Sequence, residues 1–187
     1  MNGEKMFGLK SFLAGYTDRI SEDSHDPEIR ELAKYLKTRS LSPFAQSIHV
    51  RMVDGGSPND VELEEGLTGS PQVDAERFGI HFCASPRHAD VLLVTGPITV
   101  NMKQGLVKSY NAMAEPRAVV AAGDGACTGA PFSGSYALVG KGTIEEVVPV
   151  DVKVPGNPPS PYALILGILK AGAVLEQKSA KLRASKK

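Results

Sequence analysis

An almost entirely apolar run, Val91-Leu-Leu-Val-Thr95, ends abruptly at Gly96-Pro97 and is the clearest structural signal in the chain. A run without polar alternation is typical of a strand that is buried on both faces of a parallel sheet. A second run of this kind, Arg117-Ala-Val-Val-Ala-Ala122, ends at Gly123. Between the two runs, residues 101–114 carry apolar side chains at helical spacing. Strand, helix and strand in this order predict a parallel α/β unit.

Segments on either side extend this unit. Residues 47–53 alternate like a strand with one apolar face, and residues 79–84 are expected to form another strand. Residues 146–154 carry a further expected strand. A short, glutamate-rich helix is predicted for residues 59–67. A final helix is predicted from the N-cap Ser160 to about residue 178, because Pro161 suits a first helical turn.

The alternation of strands and helices predicts an α/β domain with a mostly parallel sheet over residues 47–176. Residues 1–46 are interpreted as an N-terminal arm with one or two helices, which packs on its own domain or on a neighbouring subunit. In this arm Asp26 is the expected N-cap of a helix whose apolar face runs through Leu32. Residues 177–187 are expected to be a basic tail, which is either solvated or in contact with a membrane surface or an acidic partner.

Composition excludes several classes of protein. The 187 residues include 21 basic and 21 acidic side chains, so the net charge gives no indication of a nucleic-acid partner. Two cysteines, Cys83 and Cys127, rule out a disulfide framework and are expected to be reduced thiols. No signal peptide is expected, and the longest apolar run, residues 163–175, is shorter than the roughly 20 residues that cross a bilayer. We therefore expect a soluble chain, or one that is bound to a membrane complex only through partners.

Four loops that follow expected strands are rich in glycine, proline or small polar residues: residues 54–59, 96–99, 123–131 and 155–159. Because ligands bind outside the carboxyl ends of parallel strands, we expect these loops to form one convergent rim. The loops contain no nucleotide-binding glycine motif and no Cys-x-x-Cys pair. His49, His81 and His88 are too dispersed to predict a metal site.

Several segments resemble one family, in the order in which that family carries them. Residues 85–97 read Ser-Pro-Arg-His-Ala-Asp-Val-Leu-Leu-Val-Thr-Gly-Pro and resemble a signature of the small subunit of group 4 [NiFe] hydrogenases. The 20 kDa or B subunit of complex I (NADH-quinone oxidoreductase) has a close relative of this signature. Further matches lie at residues 76–81, 123–124, 148–151 and 154–159, so the resemblance covers about residues 47–171.

This resemblance implies a flavodoxin-like domain with one [4Fe-4S] cluster, the last in the electron chain, on the face toward a large subunit. It implies a peripheral position at the cytoplasmic face of the membrane, in a hydrogenase-like or complex I-like, ion-translocating assembly. The implied partners are the large hydrogenase-like or complex I 49 kDa-like subunit and the membrane subunits of the same complex. No nucleic-acid partner is implied.

All four cluster cysteines of that family are replaced in this chain. The family motif Gly-Ser-Cys-x-x-Cys-Glu is matched by Gly-Ser-Pro-Asn-Asp-Val-Glu at residues 56–62, which puts Pro58 and Val61 at cysteine positions. Gly125 and Asn157 stand at the other two, in Gly-Asp-Gly-Ala and Pro-Gly-Asn-Pro-Pro. We call these four residues the cysteine-equivalent positions. Because thiolates hold such clusters, no cluster and no other cofactor are expected.

Three interpretations remain open. The chain is a structural subunit that has lost electron transfer, an electron-transfer subunit with an altered cofactor, or a stand-alone flavodoxin-like binding module. In the third case, backbone donors of residues 123–129 would bind a nucleotide or another anion. No catalytic activity is expected of the chain alone.

Three further residues match family positions. Glu62 follows the second cysteine position, which implies a role in a proton path or an interface; the alternative is a solvated carboxylate at a helix start. Arg87 and His88 lie in the signature stretch, where they face the large subunit or fix the loop that enters the strand at Val91.

Overall fold

The computed structural model describes residues 27–38 and 47–185. The chain divides into two compact units, Met1–Ser40 and Leu41–Lys187. In the first unit, helix α1 covers Pro27–Thr38 and buries Leu32 and Ala33, so the predicted arm helix is confirmed. Its expected N-cap, Asp26, and any earlier helix of the arm lie outside the described residues.

Five parallel strands form the sheet of the second unit. They are β1 (Ile48–Asp54), β2 (Ile80–Phe82), β3 (Val91–Thr95), β4 (Ala118–Ala122) and β5 (Val152–Val154). Their spatial order is β2-β1-β3-β4-β5, and each neighbouring pair is parallel. Every residue of the central strands β3 and β4 is buried, as their unbroken apolar runs predicted. The predicted α/β fold with a parallel sheet is therefore confirmed.

Helices cover both faces of the sheet. They are α2 (Asp60–Leu67), α3 (Val100–Ala112), α4 (Gly123–Thr128) and α5 (Pro161–Ser185). The buried Leu106 of α3 belongs to a core cluster with Leu92 and Val119 on one face. On the other face α5 packs on β4 and β5. Its approach is so close that a Cβ on Gly167 would lie 2.2 Å from Cγ2 of Val154, which explains a glycine in the middle of this helix.

Three sequence predictions need correction. Strand β5 begins at Val152, not at residue 146, because residues 144–146 form a 3₁₀ turn and Pro149 cannot donate to a strand ladder. The predicted loop 123–131 begins with the short helix α4. Helix α5 continues to Ser185, past its predicted end near residue 178, because the lysines, alanines, leucine and arginine that follow are good helix formers.

Lys178, which the sequence assigned to the basic tail, lies within α5 and has partners in the domain. Its ammonium lies 2.7 Å from Oδ1 of Asp151 and donates to the carbonyl oxygen of Arg117 at 2.8 Å. Residues 186 and 187 lie outside the described residues, and the division into arm, domain and tail stays a prediction. No helix in residues 27–38 and 47–185 combines the length and apolar content of a membrane span.

Candidate functional site

The four loops at the carboxyl ends of the strands do converge on one rim. The N–H of Gly55 donates to the carbonyl oxygen of Thr95 at 2.9 Å, and the N–H of Thr99 donates to that of Gly55 at 2.9 Å, which joins the first two loops. The N–H of Asp124 donates to the carbonyl oxygen of Gly156 at 2.7 Å, which joins the last two. The predicted convergence is confirmed, because parallel strands end at the same edge of the sheet.

The four cysteine-equivalent positions, Pro58, Val61, Gly125 and Asn157, line a single small cavity in this rim. The rest of its wall is formed by Asp60, Gly96, Pro97, Gly123, Ala130, Pro131 and Phe132. The volume in which the centre of a water molecule can lie is about 20 Å³. The cavity therefore has space for about one or two waters. The four positions that the resemblance aligns with the family's cysteines thus line one cavity, and the space inside it is small.

The lining does not fit an iron–sulfur cluster. A pyrrolidine ring, an isopropyl group, a bare backbone and a carboxamide occupy the four positions, and such clusters need thiolates. Asp60 is the one ionisable side chain among the lining residues. Within residues 27–38 and 47–185 no group of three or more His, Cys, Asp or Glu side chains is arranged to hold a metal ion.

Cys127 is the cysteine nearest in sequence to the residues of the cavity wall. Its sulfur, however, contacts backbone carbonyl oxygens of the sheet and does not line the cavity. The sulfur lies 3.5 Å from the carbonyl oxygen of Ala121 and 3.9 Å from that of Val154, and it packs against the core cluster. Burial raises the pKa of this thiol; the positive charge of Lys153 opposes the rise, and the negative charge of Asp124 adds to it. The sulfur is not part of the cavity wall, so Cys127 does not replace the cysteine that the family carries at the position of Gly125.

Cys83 lies away from the rim. It follows β2, where its N–H donates to the carbonyl oxygen of Val50 at 2.8 Å, and its thiol lies 3.5 Å from the carbonyl oxygen of Ser85. Burial again is the main cause that raises its pKa. Both cysteines are free thiols in the structure, in agreement with the sequence prediction.

Glu62 connects helix α2 to the rim. One carboxylate oxygen accepts a hydrogen bond from the hydroxyl of Ser57 at 2.6 Å, and the other accepts one from the hydroxyl of Thr95. Thr95 is fully buried at the end of β3, so this bond satisfies a hydroxyl that water does not reach. The carboxylate is thus held by two side chains, and its role in a proton path or an interface stays a prediction.

Two aspartates hold the rim loops in shape. Oδ1 of Asp54 accepts the N–H groups of Gly56 and Ser57, both at 2.7 Å. Oδ1 of Asp124 accepts the N–H of Gly156 at 2.9 Å, which completes a reciprocal pair with the backbone bond between the same residues. The sequence predictions missed these structural roles. An Asp directly before Gly-Gly-Ser is a recognisable signal of a side chain that bonds to its own turn.

Arg87 and His88 lie at the opposite end of the sheet from the rim. Both are exposed in the 3₁₀ turn Pro86–His88. The N–H of Arg87 donates to the hydroxyl oxygen of Ser85 at 3.3 Å, which satisfies one of the donors at the start of the turn. The turn precedes β3, whereas Glu62 bonds to the last residue of that strand. A rise of about 3.3 Å per residue separates the two groups by roughly 15–20 Å. The structure therefore does not place Glu62 at one site with Arg87 and His88. The roles of Arg87 and His88 stay predictions.

Comparison with known proteins gives consistent results. The family model described as NADH ubiquinone oxidoreductase, 20 Kd subunit, matches residues 57–171. The chain is 40% identical over 143 residues to formate hydrogenlyase subunit 7 of Escherichia coli (strain K12), covering 76% of this chain and 55% of that protein. It is 43% identical over 115 residues to the B subunit of NADH-quinone oxidoreductase from Heliobacterium modesticaldum, covering 61% and 65%. The chain thus spans less than two thirds of the length of either relative.

A shorter relative is matched over most of its length. The uncharacterized protein MJ0516 of Methanocaldococcus jannaschii is 41% identical over 125 residues, which cover 67% of this chain and 82% of that protein.

Solved structures agree in fold. A chain of the membrane-bound sulfane sulfur reductase, an archaeal respiratory membrane complex, superposes with a TM-score of 0.62 and 26% identity, covering 73% of this chain and 74% of that one. A chain of an NAD⁺-reducing [NiFe]-hydrogenase superposes with a TM-score of 0.50 and 18% identity, covering 62% and 85%, and shows the fold alone. Because the family model matches more than half of the residues, the chain belongs to the family of the 20 kDa subunit of NADH ubiquinone oxidoreductase.

Proposed function

We propose that this chain is the peripheral small subunit of a membrane-bound, hydrogenase-like or complex I-like assembly, and that it acts there as a structural subunit without a [4Fe-4S] cluster. The observation that carries the proposal is the cavity of the rim. All four cysteine-equivalent positions line it, and none of them presents the thiolate that holds such a cluster.

The larger enzymes to which the relatives belong support the proposed membrane-bound assembly. A subunit of formate hydrogenlyase and a subunit of NADH-quinone oxidoreductase are both parts of larger enzymes, and the structural relative belongs to a respiratory membrane complex. We therefore propose a large hydrogenase-like or 49 kDa-like subunit as the direct partner, together with membrane subunits of the same complex. The chain would lie at the cytoplasmic face, held to the membrane through these partners.

The surface around the cavity suits a protein partner. Phe132, which lines the cavity, is 50% exposed, and Leu63 and Leu67 of the adjoining helix α2 are 64% and 50% exposed. Large apolar side chains that are left in water are typical of surfaces that become buried on assembly. The rim thus retains a surface for a partner while it lacks ligands for a cluster.

The two other interpretations find less support. An altered metal cofactor would need several donors at the rim, and Asp60 is the one ionisable residue of the cavity wall. An anion site at α4 would need free backbone donors at the start of the helix. That helix has six residues, and the N–H of Asp124 already donates to Gly156.

Purification of the native complex through a tag on this chain tests the proposal. We expect a large hydrogenase-like subunit and membrane subunits to be recovered with it, and we expect the dissociated chain to be colourless. Recovery of a monomeric chain without partners would contradict the assembly, whereas a coloured chain would indicate an altered cofactor.

A pair of variants makes this test specific to the rim. Phe132→Asp places a negative charge beside the cavity and should lower the amount of large subunit recovered by about tenfold, a typical loss at an aromatic interface residue. Asn111→Asp adds the same charge at an exposed position of α3 and should leave recovery unchanged. Equal recovery with both variants would show that the partner does not bind at the rim.

A further inference from the structure

The third cysteine-equivalent position, Gly125, has too little space for a Cβ unless a neighbouring segment shifts. It lies in the short helix α4, and its φ is not in the left-handed region, so its backbone conformation permits any residue. A Cβ on Gly125 would lie 2.9 Å from Cδ of Pro97, 3.3 Å from its nitrogen and 3.4 Å from Cα of Gly96. Carbon atoms in favourable contact are about 3.5–4.0 Å apart, so a side chain at Gly125 requires one of the two loops to move.

The loop that carries Pro97 cannot move easily, because it is packed against two further segments. A Cβ on Gly96 would lie 2.4 Å from Cα of Ser57, so the two backbones are already in direct contact there. The next residue, Ile98, is fully buried and its N–H donates to the carbonyl oxygen of Gly142 at 2.9 Å. A shift of Pro97 would therefore displace the rim loop of Ser57 and the segment of Gly142.

Helix α4 is held equally firmly. Asp124 and Gly156 exchange two hydrogen bonds, of 2.7 and 2.9 Å, directly before Gly125. Ala126, directly after it, is 1% exposed and belongs to the core cluster. A retreat of Gly125 from Pro97 would break the reciprocal pair or push Ala126 into a packed core.

The other three cysteine-equivalent positions have space for a side chain. Pro58 and Asn157 are exposed. Val61 is buried, but its own side chain already fills a volume similar to that of cysteine, which behaves as a small hydrophobic residue when buried. The obstruction is therefore confined to Gly125.

We infer that the rim is sterically closed at Gly125, so that returning cysteines to all four positions would not return a four-cysteine cluster site. This inference rests on the proposed cluster-free function and extends it: the site has lost the space for its third ligand as well as the ligands themselves. A reversion would need coupled backbone changes in the loops of Pro97 and Gly125.

Alanine substitutions test the closure, because they add the Cβ alone. In helices this change normally stabilises a protein through backbone propensity. Gly66 in α2 has no atom within 4 Å of its Cβ position, and in α3 the nearest atom to that of Gly105 is Cε of Met102 at 3.8 Å. Gly66→Ala and Gly105→Ala should raise Tm by about 1–4 °C, whereas Gly125→Ala should lower it by about 2–10 °C. A rise of Tm in Gly125→Ala like that of the two controls would overturn the inference.

Cysteine variants extend the test to metal binding. The triple variant Pro58→Cys, Val61→Cys, Asn157→Cys and the quadruple variant that adds Gly125→Cys are reconstituted anaerobically with ferrous iron and sulfide. We expect the quadruple variant to bind no more iron than the triple, or to fail to fold where the triple folds. A stable cluster of about four irons in the quadruple variant alone would refute the closure. Iron in the unaltered chain would instead contradict the proposed function, while the alanine comparison would still decide the closure.

Discussion

The amino end of the sheet and the rim at its carboxyl end are both held by carboxylates, but in different ways. At the amino end, Asp90 and Asp151 each extend a strand ladder through a side chain. Asp90 accepts the N–H of His49 and Asp151 accepts that of Val119, both at 3.0 Å. Each aspartate also donates its own N–H to the carbonyl oxygen of the same residue. These carboxylates therefore hold neighbouring strands in register.

At the rim the carboxylates hold the loops and helix α2 in place and do not extend a strand ladder. Asp54 bonds within the loop that follows β1, Asp124 joins its loop to Gly156, and Glu62 joins helix α2 to Thr95. Their partners are neutral N–H and hydroxyl groups, whereas Asp151 also binds the ammonium of Lys178 at 2.7 Å.

Under the proposed cluster-free function, this difference explains how the rim keeps its shape. The carboxylate bonds that join its loops involve side chains beside the cysteine-equivalent positions, not at them. Substitution of the four cysteines therefore removes the ligands of a cluster and leaves these hydrogen bonds in place. Three substitutions test this division, from the largest expected effect to the smallest.

Removal of the carboxylate of Asp151, at the amino end of the sheet, should lower the free energy of unfolding the most. Asp151→Ala leaves the N–H of Val119 without its acceptor and removes the ion pair with Lys178, so we expect a loss of about 2–3 kcal/mol in the free energy of unfolding, measured by urea denaturation.

Glu145 provides a matched control for this change. Its ion pair with Lys153 has a similar length, 2.9 Å, but both side chains are about half exposed. Glu145→Ala should therefore cost less than about 1 kcal/mol. Equal losses in the two variants would show that the ladder bond of Asp151 contributes little.

Removal of the carboxylate of Glu62, which bonds to the rim, should have an intermediate effect on the free energy of unfolding. Glu62→Ala takes the acceptor from the fully buried hydroxyl of Thr95, which should lower the free energy of unfolding by about 1–2 kcal/mol. Glu64→Ala, in the same helix, should change it by less than about 0.5 kcal/mol. If Glu62→Ala were as stable as Glu64→Ala, the rim would not depend on this carboxylate.

The smallest effect is expected from a substitution that removes a charge in helix α2, three residues after Glu62. Burial raises the pKa of Glu65, and the negative charge of Glu62 raises it further. The neutral form is therefore favoured in the folded state, and its contribution to stability is lost as the pH rises from the ordinary glutamate pKa through the raised one. Glu65→Gln should stabilise the protein at pH 7 by about 0.5 kcal/mol or less, since half-exposed groups are screened by solvent.

The pH dependence of this variant separates charge from packing. Near pH 3.5 the carboxyl group is mostly protonated in both states, so the gain should vanish there in parallel urea titrations. A gain of the same size at both pH values would mean that glutamine packs better and that the charge is irrelevant.

The order of the elements could be predicted because the decisive segments are apolar throughout or strictly periodic. Strands β3 and β4 were found from Val91-Leu-Leu-Val-Thr95 and Ala118-Val-Val-Ala-Ala122, and the helix after β3 from its spacing. The rim followed from the rule that parallel strands end at one edge. The grouping of the four cysteine-equivalent positions came from resemblance and is supported by the cavity that they line.

The features that were predicted wrongly, or not predicted, from the sequence have physical reasons. The basic residues suggested that α5 ends near residue 178, although Lys and Arg are good helix formers and Lys178 finds Asp151 through tertiary contact. The apolar residues near Pro149 suggested a longer strand, although proline lacks the donor that a ladder needs. The contact of Gly125 with Pro97 is an approach of two loops that no local pattern encodes.

Iron and acid-labile sulfide per chain, measured on the anaerobically purified complex and on the dissociated subunit, address the absence of the cluster without further assumptions. If the cavity wall of proline, valine, glycine and asparagine leaves no cluster ligand, neither element should be found in this subunit. About four irons with matching sulfide, traced to this chain, would contradict that conclusion and would return an electron-transfer role to it.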